Sequence, residues 1–137
     1  MYLHQRIRSV GEYAQTNVQT DVHSASPHRL IQMLLEGFLT HINVARGAME
    51  HGDMALKGEQ VSRAIMILGG LEESLDCERG GELAQNLANL YRYIRSRLLF
   101  ASSNNDQTLL NEVVVLMIDI KGAWDAIPDD LRFRNGQ

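Results

Sequence analysis

Four long stretches of this 137-residue chain carry apolar side chains at every third or fourth position, and this spacing constrains the fold more than any other feature. Side chains three and four residues apart lie on one face of an α-helix, so each stretch predicts an amphipathic helix with a buried face. Only two prolines, Pro27 and Pro128, interrupt the chain, and no run alternates apolar and polar residues as a half-buried strand does. The sequence therefore predicts an all-α protein.

The apolar positions of these stretches define the predicted helices and their shared core. The first helix carries Ile31, Leu34, Leu35, Phe38, Ile42, Ala45 and Met49. The second carries Leu56, Val61, Ala64, Ile65, Leu68, Leu71 and Leu75. The third carries Leu83, Leu87, Leu90, Ile94 and Leu98, and the fourth carries Leu109, Val113, Leu116, Ile120, Ala123 and Ile127. Short loops force neighbouring helices to run antiparallel, so we expect an up-down-up-down four-helix bundle.

Local signals mark where these helices begin and end. Ser26 can cap free backbone N–H groups, and Pro27 suits the first position of a helix, where the missing N–H would have been unpaired. Gly52 is a C-terminal glycine for the first helix, and Asp53 is a cap for the second. Residues 77–81 contain two glycines and predict a break before the third helix.

We expect three parts in the chain: an N-terminal cap segment at residues 1–25, the four-helix bundle at 26–128, and a flexible tail at 129–137. The first part contains apolar residues spaced to lie on one face of a short helix, namely Tyr2, Leu3, Ile7, Val10 and Tyr13. A detachable cap over the bundle and a frayed terminus are both compatible with this pattern.

Composition limits the classes of partner. The formal net charge is -4, and the basic residues are scattered among acidic ones, which argues against binding to nucleic acid or an anionic membrane. No apolar run approaches the roughly 20 residues that a membrane-spanning helix needs, so no membrane insertion is expected. The single cysteine, Cys77, and an N-terminus unlike a signal peptide fit a protein of the reducing cytosol.

The sequence shows no arrangement typical of a catalytic or metal site. The five histidines include no i, i+4 pair, and no glutamate is followed three residues later by histidine, as helical zinc and di-metal sites require. We therefore expect no enzyme activity, no catalytic residue, and no cofactor or metal. One alternative stays open, because His41 lies in mid-helix and a histidine in a four-helix bundle can be a phosphotransfer residue.

Several apolar residues exceed the core of a bundle, which uses about three positions in seven on each helix. These surplus residues are Met33 and Val44 in the first helix, Met66 and Ile67 in the second, Tyr91, Tyr93, Leu99 and Phe100 in the third, and Val114, Val115, Met117 and Ile118 in the fourth. They indicate either a generously packed core or an apolar groove that binds an amphipathic segment of a partner. Six methionines suit the groove, because flexible thioethers adapt to varied apolar partners.

The order of residues along the chain carries a further signal. The characteristic runs are YAQ at 13–15, SASPHRLIQML at 24–34, KGE at 57–59, LDCERGGELAQNL at 75–87 and AW at 123–124. As a set, in this order and at this spacing, they make the chain resemble the FliS family of flagellar secretion chaperones from about residue 10 to residue 127.

The resemblance implies a helical bundle that holds the disordered C-terminal region of flagellin, its client, in the cytosol. It also implies that the protein prevents premature polymerisation and helps deliver the client to a component of the flagellar type III export gate. An N-terminal segment occupies part of the binding surface in the family when the client is absent. Tyr13 and Val18 match the family's N-terminal motif and are carried over as flagellin-binding residues. To them we add four surplus apolar residues: Met33, Ile67, Val114 and Ile118. A helical adaptor for another flagellar or regulatory protein is the alternative.

Overall fold

The computed structural model describes residues 25–127, which form four α-helices. They are α1 (Pro27–His51), α2 (Met54–Glu73), α3 (Cys77–Asn104) and α4 (Gln107–Asp125). The predicted all-α bundle is confirmed for these residues. None of the four helices combines the length and apolar content that a membrane crossing requires. The predicted cap segment at 1–25 and tail at 129–137 fall, apart from residue 25, outside the described residues and stay predictions.

The ends of α1 and the start of α2 follow the local signals. The Ser26 side chain accepts a hydrogen bond from the Arg29 backbone N–H at 3.1 Å, and Pro27 is the first helical residue. Gly52 ends α1 in the left-handed conformation, with φ at 76°, and its N–H donates back to the last turn. The Asp53 carboxylate then accepts a backbone N–H from the first turn of α2. The predicted caps are confirmed here.

The break predicted at residues 77–81 is narrower in the structure. Asp76 caps α3 by accepting the Arg79 backbone N–H at 3.2 Å, so helical residues already begin at Cys77. Gly81 alone leaves the helical conformation, with φ at 55° and ψ at -130°. A residue with a side chain is strained at this positive φ, which is why glycine is suited to the kink.

The helices form a ring in which α1 and α3 each pack against both α2 and α4. Gln32, near the start of α1, donates to Asp125 at the end of α4 at 2.8 Å. Lys57, near the start of α2, donates to the Ser102 carbonyl at the end of α3 at 2.7 Å. These pairings are those of antiparallel neighbours, and they support the up-down-up-down order, which remains a prediction.

The core lies along the axis of this ring. Its largest fully buried side chains are Phe38, Leu35, Ile42, Leu68, Leu71, Ile94, Leu98, Leu110, Met117 and Val113. The predicted core positions Leu83, Ala123 and Ile127 are exposed, and this part of the prediction is wrong. Leu83 is 70% exposed, whereas the adjacent Ala84 is 5% exposed, so the buried face of α3 passes through Ala84 at this turn. The spacing of apolar residues along one helix does not show which of two adjacent residues faces the neighbouring helices.

Candidate protein-interaction surface

The surplus apolar residues divide into an exposed and a buried set. The exposed ones are Val44, Met66, Tyr93, Leu99, Phe100, Val115 and Ile118. The buried ones are Met33, Ile67, Tyr91, Val114 and Met117. Burial also raises the pKa of Tyr91 to about 12, since the phenolate is poorly solvated there. Both interpretations of the surplus therefore hold in part, because the core is wider than expected and apolar surface remains outside it.

The residues chosen from the sequence for the client-binding groove fall mostly in the buried set. Met33, Ile67 and Val114 are 6%, 5% and 7% exposed, whereas Ile118 is 52% exposed. Ile67 and Val114 belong to the central core cluster, contrary to the expectation that they exceed it. Each helix packs against two neighbours, so its apolar face extends further around the helix than three positions in seven. Met33 is buried without belonging to that cluster.

These residues are spread over three helices. Met33 lies on α1, Ile67 on α2, and Val114 and Ile118 on α4, and α1 is the helix that packs against both of the others. Tyr13 and Val18, the residues carried over from the resemblance, lie outside the described residues. Ile118 is therefore the one chosen position in residues 25–127 that a partner can reach on the bundle as it stands.

Val115 is one of the surplus residues but was not chosen for the groove, although it is as exposed as Ile118 and lies three residues before it on α4. Two apolar residues at this spacing share one helical face, so Val115 and Ile118 form a small exposed apolar patch on the outside of the bundle. The signal was present in the unbroken apolar run from Val113 to Ile118, which is longer than one buried face requires.

Polar contacts join α3 to α4 on the neighbouring surface of the bundle. The Tyr93 hydroxyl donates to Glu112 at 3.3 Å, and the Arg97 guanidinium lies 4.0 Å from the same carboxylate. Arg97 also lies over the Tyr93 ring, 5.9 Å from its centroid. Tyr93 is thus held against α4 by its hydroxyl, although its ring is exposed.

The histidine considered for phosphotransfer lies between two helices. His41 Nδ1 is 2.7 Å from Gln60 Oε1 on α2, and its Nε2 atom is buried. A phosphate donor needs an accessible ring nitrogen, and neither nitrogen of His41 offers one. Within residues 25–127, no three histidine, cysteine, aspartate or glutamate residues lie together as a metal site requires.

Comparison with known proteins agrees with the resemblance read from the sequence. A family model described as flagellar protein FliS matches residues 9–130. The flagellar secretion chaperone FliSB of Pseudomonas aeruginosa is 46% identical over 121 residues, covering 88% of this chain and 96% of the relative. The flagellar secretion chaperone FliS of Salmonella typhimurium is 44% identical over 126 residues, covering 91% and 93%. That of Vibrio cholerae is 34% identical over 122 residues, covering 89% and 90%.

These relatives are named as chaperones and not as enzymes, which agrees with the expectation that the chain is not an enzyme. The matched region includes all four described helices and extends into both flanking segments. The chain belongs to the FliS family of flagellar proteins.

Proposed function

We propose that this protein is a flagellar secretion chaperone of the cytosol that binds the disordered C-terminal region of flagellin. In this role it prevents premature polymerisation of the client and assists its delivery to a component of the flagellar type III export apparatus. The observation that carries the proposal is the match over most of the chain to relatives that are named flagellar secretion chaperones.

The exposed apolar side chains of the bundle support binding to a polypeptide. A disordered client that folds on binding typically buries about 2,000 Å². With about 57% of that area apolar, the gross gain is about 28 kcal/mol, which offsets the entropy lost by ordering the client. Exposed ion pairs contribute at most about 1 kcal/mol each, so apolar docking dominates. Ile118 is a direct contact in this proposal, because about half of it is exposed to a client.

The first test measures binding of the C-terminal region of flagellin from the same organism to the full chain by isothermal titration calorimetry. We expect a one-to-one complex with a negative heat-capacity change, the sign of apolar burial. Replacing Ile118 by aspartate places a charge in that contact and weakens binding about tenfold. Met66→Asp is the matched control, since Met66 is an exposed apolar residue of α2, diagonally opposite α4.

Absence of any heat of binding contradicts the proposed function. Equal weakening by Ile118→Asp and Met66→Asp contradicts the assignment of Ile118 alone, because it indicates a general response to lost apolar surface.

We further propose that the N-terminal segment and the client compete for one surface. Tyr13 and Val18 lie in the part of the segment that the client replaces. The family match supports this proposal, because it begins at residue 9 and so includes both positions. Deleting residues 1–16 removes the competitor, and we expect tighter binding of the flagellin region in the same titration. Unchanged affinity together with unchanged helix content by circular dichroism contradicts the exchange.

A further inference from the structure

The exposed apolar patch of α4 continues towards the end of that helix. Val115 is 57% exposed and Ile118 is 52% exposed, and Gly122, four residues after Ile118, is exposed as well. Residues at this spacing lie on one side of a helix. A Cβ atom built at Gly122 meets no other atom within 4 Å, so the surface there is open. We term these three residues the outer stripe, an uncharged surface that leads down to the end of α4.

A turn signal and an alternating run follow this end of α4 in the sequence. The run IPDD at 127–130 has proline at its second position, which favours a β-turn and cannot continue a helix. The run LRFR at 131–134 then alternates apolar and basic side chains. In an extended segment, alternate residues face the same side, so Leu131 and Phe133 face one side together. The segment therefore has one apolar side and one basic side.

The lengths of the segment and of the outer stripe agree. Ile118 lies seven residues before Asp125, the last residue of α4, which is about 10 Å along the helix axis at 1.5 Å per residue. An extended chain advances about 3.3 Å per residue. A turn at 127–130 that sends the chain back along α4 therefore brings Phe133, three residues after the turn, to the level of Ile118. Leu131 then reaches the level of Gly122, where no side chain occupies the surface.

The charges beside the outer stripe fit the basic side of the segment. Asp119 is exposed and forms no ion pair with any other of residues 25–127. The acidic residues one to two turns away on α4, Glu112 and Asp125, both lie within ion pairs. Arg132 and Arg134 flank the apolar residue that reaches the level next to Asp119. Two guanidinium groups thus come within reach of a carboxylate that the bundle leaves unpaired.

We propose that residues 131–134 fold back along α4 and cover the outer stripe, with Phe133 on Ile118 and Leu131 beside Gly122. The occupant is a segment of the same chain, because its apolar spacing, its reach and its arginines match a surface that begins where the segment leaves the bundle. The family match ends at residue 130, so the segment lies beyond the matched region. The contact itself does not depend on the proposed function. Its consequence rests on that function: the segment competes with the client, because Ile118 is the proposed client contact.

The test measures the proximity of the segment to the outer stripe with two introduced cysteines in the full chain carrying Cys77→Ser. Val115→Cys and Asn135→Cys pair the far end of the stripe with a position just beyond the segment, and they leave the proposed contacts unchanged. Equilibration in a glutathione buffer, followed by mass spectrometry, gives the ratio of disulfide to dithiol. This ratio measures the effective concentration of one thiol at the other.

The matched control pairs Asn135→Cys with Met66→Cys, because Met66 is exposed on α2, diagonally opposite α4. We expect the effective concentration to be at least about tenfold higher for the pair on the outer stripe. Adding Leu131→Ser and Phe133→Ser to that pair removes the apolar contact and is expected to reduce the difference to about twofold or less. These substitutions lie outside the four helices, and circular dichroism checks that the helix content is unchanged.

A disulfide that forms preferentially on the outer stripe and depends on the apolar residues of the segment supports the proposal. Three results overturn it. The first is equal effective concentrations for the two cysteine pairs. The second is a disulfide that links two chains, which makes a second copy the occupant. The third is a higher effective concentration for Val115→Cys paired with Tyr13→Cys, which makes the N-terminal segment the occupant.

The competition with the client is measured separately, in chains without the introduced cysteines. We expect Leu131→Ser with Phe133→Ser to bind the C-terminal region of flagellin about threefold more tightly than the parent, because the competing segment no longer covers Ile118. Unchanged affinity contradicts the competition. Absence of any client binding contradicts the proposed function and leaves the disulfide result valid, so the two failures are distinguishable.

Discussion

At the scale of single residues, Lys57 is a lysine among the buried residues of the described chain. Its ammonium group donates to the Ser102 carbonyl and to the Asn105 side chain, both at 2.7 Å. The Ser102 carbonyl lies in the last turn of α3, where it also accepts the Asn105 backbone N–H at 3.4 Å and where helix carbonyls carry partial negative charge. Lys57 thereby fastens the first turn of α2 to the end of α3. Such a bond satisfies the charge that burial would otherwise penalise.

Replacing Lys57 by methionine keeps the apolar stem and removes both hydrogen bonds. We expect the free energy of unfolding to fall by about 2 kcal/mol, as for lost hydrogen bonds to a charged group. Urea denaturation followed by far-UV circular dichroism measures the change. Arg63→Met makes the same change of charge on the exposed face of α2 and is expected to cost less than about 0.5 kcal/mol. Equal stability of the two variants contradicts the role of Lys57.

At the scale of elements, the glycines of the first two helices have opposite roles. Gly58 lies inside α2, and a Cβ atom built there meets no other atom within 4 Å. Gly52 ends α1 with φ at +76°, a conformation that residues with a side chain rarely adopt. Glycine is therefore replaceable inside the helix and required at its end.

We expect Gly58→Ala to raise the free energy of unfolding by about 1 kcal/mol, because alanine favours the helix. Gly52→Ala is expected to lower it by about 1 to 2 kcal/mol, because of the left-handed backbone. Thermal and urea denaturation of the two variants make a matched pair, since each adds a single methyl group. A loss of stability in Gly58→Ala would contradict the open space around a Cβ atom at this position.

At the scale of the whole molecule, ion pairs and hydrogen bonds join the helices on the outside of the core. Glu72 joins α2 to α3 through two arginines, and Asp125 joins α4 to α1 through Gln32. Burial favours the neutral form of Glu72, but the hydrogen bonds and charges of the arginines outweigh it and hold its pKa below the ordinary 4.5. The hydrogen bond from Lys121 lowers the pKa of Asp125 in the same way.

Because both pKa values are lower in the folded than in the unfolded chain, the stabilisation is complete above the ordinary values and is lost as the pH falls through the folded values. We expect the free energy of unfolding to decrease below about pH 4.5. Glu72→Gln removes the contribution of Glu72 to this stabilisation, so the variant has a lower free energy of unfolding than the parent at pH 7. In acid, the free energies of unfolding of the two proteins converge. Urea denaturation over a pH series measures both curves. Parallel curves down to the acid limit would contradict this role of Glu72.

Much of the fold was predictable because it depends on local chemistry. Ser26, Gly52 and Asp53 marked helix ends correctly, since caps satisfy backbone groups within one turn. The break at 77–81 was predicted too wide, because Asp76 caps a helical turn before Gly81 interrupts it. The candidate surface was predicted less well. Its apolar surplus was recognised, but Val114 was placed outside the core, and Val115 was named in the surplus without being chosen as a binding residue.

The positions of the helices follow from the sequence, because periodicity and capping act over three or four residues of one chain segment. Membership of the FliS family also follows from the order of residues along the chain. Only the packing of the helices determines which apolar side chains a partner can reach. Val114 and Val115 have the same chemistry and adjacent positions, yet one joins the core and the other faces outward, because burial depends on which neighbouring helix lies on each side. The ion pairs of Glu72 with Arg92 and Arg95 likewise exist only because the packing places the end of α2 beside α3.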